Sequence, residues 1–157
     1  MKSVVVFVIT LLTALMLEAV PFPEELLWFR PEWALLVILY WVIALPFRVG
    51  VGFAWFLGFM VDLLQGGIIG QHSLTYVIIA YTCAVFYKRL RMYHSWQQGF
   101  FVCVLVSVNQ LVDFWVDHYI GNAEPTLMIF MPAIITGLLW PWSFIVLRSV
   151  RRMYAIH

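Results

Sequence analysis

Four of the chain's eight carboxylates, Glu18, Asp62, Asp113 and Asp117, fall within long apolar stretches, where keeping a charge is costly and usually serves a purpose. Asn109, Asp113 and Asp117 recur every four residues, with Gln110 three before Asp113, so a helix would carry them as one polar stripe. Such a stripe suits a partner or ligand site, a proton path, or the inward hydrogen-bonding face of the chain's own bundle. Ala54, Gly58, Asp62, Gly66 and Gly70 repeat at the same interval, the last two at or past a helix end. Small residues at that spacing let a second backbone approach closely, from within the chain or from a partner. Asp62, beside a glycine-rich turn, also suits a cap or turn anchor. Glu18 stands alone near the end of the first apolar run. The candidate partner-binding residues are therefore Gly58, Asp62, Gly66, Gly70, Asn109, Asp113 and Asp117.

Catalysis has little to work with. An aspartyl enzyme needs two carboxylates facing each other from different helices, one protonated and one ionised. Asp113 and Asp117 share a helix, and Asp62, which could meet one of them in space, lies in no protease-like pattern. His72, His94, His118 and His157 are scattered singly, without metal-ligand spacing. Ser, Cys and His form no recognisable nucleophile arrangement. Cys83 and Cys103 sit inside apolar runs and read as small buried hydrophobes rather than a disulfide or metal pair. No catalytic residue, metal ligand or cofactor is expected.

The elements that must position these residues are membrane helices. Hydrophobic residues make up 64% of the 157 and charged ones 11%, against about 25% charged in a soluble domain. Net charge is +1, so nothing points to nucleic acid. The apolar residues form blocks that predict one domain, 1–157, with six spans near 4–20, 33–47, 49–64, 73–87, 99–119 and 127–147. The first block is long and ends in Pro21-Phe22-Pro23-Glu24-Glu25 without a small-x-small cleavage site, so it reads as a retained span. The second is short, about 22 Å against a hydrocarbon core of about 30 Å. It predicts Glu32 and Arg48 at headgroup level, or a locally thinned bilayer.

Charge then orients the spans. With the amino terminus inside, Lys2, Arg48, Lys88, Arg89, Arg91, Arg148, Arg151 and Arg152 are all cytoplasmic, which leaves only Arg30 outside. If the short second block did not cross, the Lys88 to Arg91 loop and the basic tail would both lie outside. Both termini are therefore expected on the cytoplasmic side. Glu24, Glu25, Glu32 and Glu124 fall in or beside outer loops, and an outward-facing polar pocket or partner surface would account for them. Of the eight tryptophans, most lie near span ends, as interfacial belts require; a carbohydrate-stacking role is the lesser alternative.

Three stretches carry a family resemblance. Phe29-Arg30-Pro31-Glu32-Trp33, with the run Ala34 to Leu45 and Pro46-Phe47-Arg48, resembles the proteobacterial rod shape-determining family MreD. So do Gly58-Phe59-Met60-Val61-Asp62-Leu63-Leu64-Gln65-Gly66, continuing to Gly70, and the closing Gly137-Leu138-Leu139-Trp140-Pro141-Trp142 before Arg148 and Arg151-Arg152. The Asn109 to Asp117 stripe matches no motif of the family. The resemblance implies a non-enzymatic inner-membrane subunit of the lateral wall elongation machinery, without a cofactor. The partners it implies are MreC and, through it, MreB, together with RodA and its cognate penicillin-binding transpeptidase. Membrane lipid is a further expected contact, and self-association stays open. It also implies an all-α, six-helix bundle like the substrate-binding subunits of energy-coupling-factor transporters. That likeness keeps a small-molecule-binding transport subunit as the alternative.

Overall fold

The computed structural model describes residues 2–46, 48–66, 68–121 and 127–154. Their α-helices are α1 Lys2–Glu18, α2 Trp33–Ala44, α3 Val51–Gln65, α4 Gln71–Met92, α5 Ser95–Ile120 and α6 Met131–Met153. Short 3-10 segments at Glu24–Phe29 and Leu127–Phe130 lead into α2 and α6. Gly67, Glu124 and His157 lie outside the described residues, as do Phe47, where the second span was expected to end, and the side chain of Lys2.

The helix ends follow local chemistry. α3 stops at Gly66, whose φ of 67° is left-handed and whose N–H donates to the Asp62 carbonyl at 3.0 Å. Gly70, at φ 103°, opens α4. His94 and Gln97 cap the start of α5 reciprocally. α4 continues through Lys88, Arg89 and Arg91, which the sequence predicts as a loop. Lysine and arginine are good helix formers, and cations suit a helix C-terminus, so the helix carries them instead.

Three segments, Glu24–Ala44, Ser95–Ile120 and Leu127–Met153, are long and apolar enough to cross a membrane, and Val4–Glu18 and Val51–Gln65 are shorter apolar helices. Large apolar side chains cover the outside of the bundle: Val8, Ile9 and Leu12 on α1, Leu74, Ile78 and Val85 on α4, Phe100, Val104 and Leu111 on α5. A continuous apolar exterior needs lipid around it. The chain is an all-α, multi-pass membrane protein.

α2 is the axis of the bundle. It touches each of the other five helices, and every residue from Ala34 to Ala44 is buried. Its sequence has no polar face, as a helix buried on all sides requires. This corrects the expectation about its length. Twelve residues make only about 18 Å, but α2 is surrounded by protein, so lipid does not have to match it. Protein groups serve both of its ends. The Glu32 N–H donates to Thr136 Oγ1 at 3.0 Å and the Ala34 N–H to Glu18 Oε2 at 3.3 Å. At the other end Arg91 donates from Nε to the Ile43 carbonyl at 2.8 Å and from its terminal nitrogen to that of Ala44 at 2.6 Å.

Two close backbone approaches hold the outer helices. At Gly58 an added Cβ would lie 2.6 Å from the His72 carbonyl oxygen and from the Ser73 Cα, so α3 and α4 are in backbone contact. At Gly99 it would lie 2.7 Å from the Gly137 carbonyl oxygen, where α5 crosses α6. Pro141 lacks the N–H that would occupy that carbonyl within α6, which leaves the oxygen free to face Gly99.

Candidate functional site

The turn from α3 to α4 is built on one carboxylate. Asp62 is 1% exposed and collects donors that the turn would otherwise leave unmatched. Oδ1 accepts the backbone N–H of His72 at 3.0 Å and lies 2.9 Å from His72 Nδ1. Oδ2 accepts the Gly70 N–H at 2.9 Å and the Ser73 hydroxyl at 3.2 Å. The turn-anchor reading of Asp62 describes this geometry.

His72 continues the line. Its Nε2 lies 3.7 Å from Oδ2 of Asp113 on α5, so one imidazole stands between two carboxylates from different helices. Asp113 Oδ1 accepts from Gln71 Nε2 at 2.6 Å, and Oδ2 from Asn109 Nδ2 at 3.2 Å. Asn109 also donates to Glu32 Oε1 at 3.4 Å. Both of its neighbours accept, which fixes the amide orientation and leaves Asn109 Oδ1 buried without a partner.

Glu32 is the hub. It lies at the N-terminus of α2, 7% exposed, and takes Gln110 Nε2 at 2.6 Å on Oε1 and the Tyr76 hydroxyl at 3.5 Å on Oε2. Donors from α4 and α5 thus converge on a carboxylate presented by the central helix. Nearby, Arg30 pairs with Glu18 at 3.3 Å and also donates to the Glu18 carbonyl oxygen.

A cavity of about 940 Å³ opens beside this network, lined by Glu18, Glu24, Arg30, Glu32, Asp113 and Asp117 among others. Carboxylates outnumber the basic groups in its wall, so it suits a cationic or hydrogen-bond-donating visitor. Among the described residues no three His, Cys, Asp or Glu side chains are grouped to hold a metal ion.

The structure thus sorts the predicted residues. Asn109 and Asp113 join the network, and Asp117, exposed and one turn further along α5, lines the cavity with Gly66. Gly58 is turned into the chain's own α4, and Gly70 serves the turn. Glu32, expected at a span end, is buried within the bundle. Two readings are corrected. Glu18 is not alone, because Arg30 reaches it. His72 is not isolated, because Asp62 and Asp113 flank it. Gln71, Tyr76 and Thr136 carried no signal of their own; each is an ordinary polar residue near a helix start, and only the packing gives it a partner.

The chain's relatives decide its family. Residues 1–150 match the family model described as rod shape-determining protein MreD. The chain is also 35% identical over 144 residues to the rod shape-determining protein MreD of Haemophilus influenzae, covering 92% of this chain and 89% of that relative. This chain belongs to the MreD family. No solved structure matches it, so the expected likeness to energy-coupling-factor substrate-binding subunits finds no support in that comparison. Within the MreD match lie both the Asp62 turn and the Glu32 hub, and so does the whole of the cavity between them.

Proposed function

We propose that this chain is a non-enzymatic inner-membrane scaffold subunit of the rod-shape machinery, binding MreC and helping to couple the MreB cytoskeleton to RodA and the elongation transpeptidase. The single observation that carries the reading is the family match across residues 1–150. The geometry agrees with it. The carboxylates near the cavity are held by fixed side-chain amides, a hydroxyl and a histidine, which suits a rigid framework more than a site that turns over. Six crossings with both termini cytoplasmic place the acid-rich cavity on the periplasmic side. There Asp117 and Glu24 at its wall are the groups for a periplasmic partner to meet.

One observation favours a second reading, a small-molecule-binding transport subunit: the cavity is large enough for a ligand. Depletion of the protein in its source bacterium, followed by imaging, separates the two. Rods that round into spheres support the scaffold; a conditional vitamin requirement with rods preserved supports transport.

A further inference from the structure

The end of the bundle opposite the acidic cavity holds a second cavity of about 660 Å³, whose wall includes Tyr40, Arg48, Arg91, Arg148, Arg151 and Phe144. Its arginines arrive from the turn after α2, the end of α4 and the last turns of α6. Among the described residues, every Asp and Glu lies at the other end: residues 18 to 32, Asp62, and Asp113 with Asp117. The ion pairs of the described residues involve only Arg30 and His72, so none neutralises these arginines. Arg91 is occupied by the carbonyls that end α2. Arg48, Arg148 and Arg151 thus meet around one cavity without a counter-charge among the described residues.

A second observation points to a ligand. Tyr40 is 1% exposed, lines this cavity, and its hydroxyl has no hydrogen-bond partner. Arg148 and Arg151 lie within electrostatic reach of it. A buried hydroxyl is rarely left unmatched, and cations around it add donors but no acceptor. An anion with several oxygens could accept from the hydroxyl and from the arginines together.

We propose that this cavity binds the phosphate of an anionic phospholipid headgroup from the adjoining leaflet. The planar guanidinium fork fits phosphate oxygens, and the Tyr40 hydroxyl supplies one more donor. Ile43, Leu45 and Phe144 give the same wall an apolar part for the glycerol and upper acyl chain. Next to Phe144 in sequence, Ile145 and Val146 are exposed apolar side chains on the outside of α6, where acyl chains can pack. Basic pockets between membrane helices are suited to such headgroups.

The test uses the full chain in detergent, with lipid retention read by native mass spectrometry. Phosphatidylglycerol should be retained at least tenfold more than phosphatidylcholine. Arg148→Gln with Arg151→Gln should weaken retention by about thirtyfold, from two charges near the headgroup. Arg89→Gln with Arg152→Gln removes the same charge outside the cavity wall and should change retention less than twofold. Tyr40→Phe keeps the ring and should cost severalfold; it decides the matter if the double arginine variant fails to fold. Equal retention of the two lipids, or equal loss from both double variants, overturns the proposal in favour of a diffuse basic surface. Full displacement of the lipid by inorganic phosphate at equal concentration overturns it in favour of a soluble anion.

Discussion

His72 is tied twice to Asp62, its backbone N–H donating to Oδ1 at 3.0 Å and its ring Nδ1 lying 2.9 Å from the same atom. With the Gly70 N–H and the Ser73 hydroxyl on Oδ2, both oxygens of Asp62 are fully used. The α3–α4 turn therefore depends on a carboxylate, a group with two acceptors and no donor.

Asp62→Asn keeps the shape but turns one acceptor into a donor that faces other donors. Each buried donor left unmatched costs about 1–3 kcal/mol. Thermal unfolding of the purified chain in detergent should show a clear loss for Asp62→Asn and a larger one for Asp62→Ala. An unchanged unfolding temperature for the alanine variant would mean that the glycines alone shape the turn.

Gly58 makes a related prediction about α3 and α4. Even one methyl there meets backbone at 2.6 Å, and backbone cannot rotate out of the way. Overpacking of this kind costs about 1–3 kcal/mol. Gly58→Ala should lower the stability of the isolated chain, and Gly58→Leu should lower it further, with no partner present. If both variants are as stable alone as the parent and only fail to co-purify MreC, then Gly58 contacts the partner instead.

The positions of the six helices were legible because each is a block of apolar residues bounded by proline, glycine or charge. The central place of α2 has a signal too, in the unbroken run Ala34 to Leu45, whose lack of a polar face says more than its short length. The burial of Glu32 has no such signal. Hydropathy marks only the edge of an apolar run, and it is the neighbours Tyr76, Asn109 and Gln110 that enclose the carboxylate. Asp113 was found because a carboxylate within an apolar run is conspicuous. His72 was not, since its partners are 10 and 41 positions away in sequence. Gly99 and Gly137 form one crossing, and each belongs to a small-residue series at four-residue spacing, Ser95-Gly99-Cys103-Ser107 and Ala133-Gly137, but such spacing does not say which helix it meets.

Topology rests on the basic residues and can be read directly. In a background lacking Cys83 and Cys103, a single cysteine near Glu24 should react with an impermeant thiol reagent in intact spheroplasts. One in the Lys88 to Arg91 stretch should react only after lysis. Labelling of that stretch in intact spheroplasts would falsify the six-crossing arrangement.

Asp113 separates a framework from a proton carrier. If its charge state were the mechanism, Asp113→Asn would abolish function in a folded protein. The geometry favours the opposite outcome. The amide oxygen can still accept from Gln71 Nε2, now 2.6 Å away. The new amide nitrogen would face His72 Nε2 and Asn109 Nδ2, which lie 3.7 and 3.2 Å from the oxygen it replaces. His72 keeps both of its bonds to Asp62, which the substitution does not touch. The Asn109 contact is lost, and Asn109 keeps Glu32 as a partner. A side-chain contact four residues apart on one helix contributes about 0.2–0.5 kcal/mol. Asp113→Asn should therefore support rod shape at normal protein level, and Asp117→Asn, exposed at the cavity wall, should do so as well. Spherical cells from Asp113→Asn, with intact protein level and MreC binding, would make the charge itself the working part and return the cavity to the transport reading.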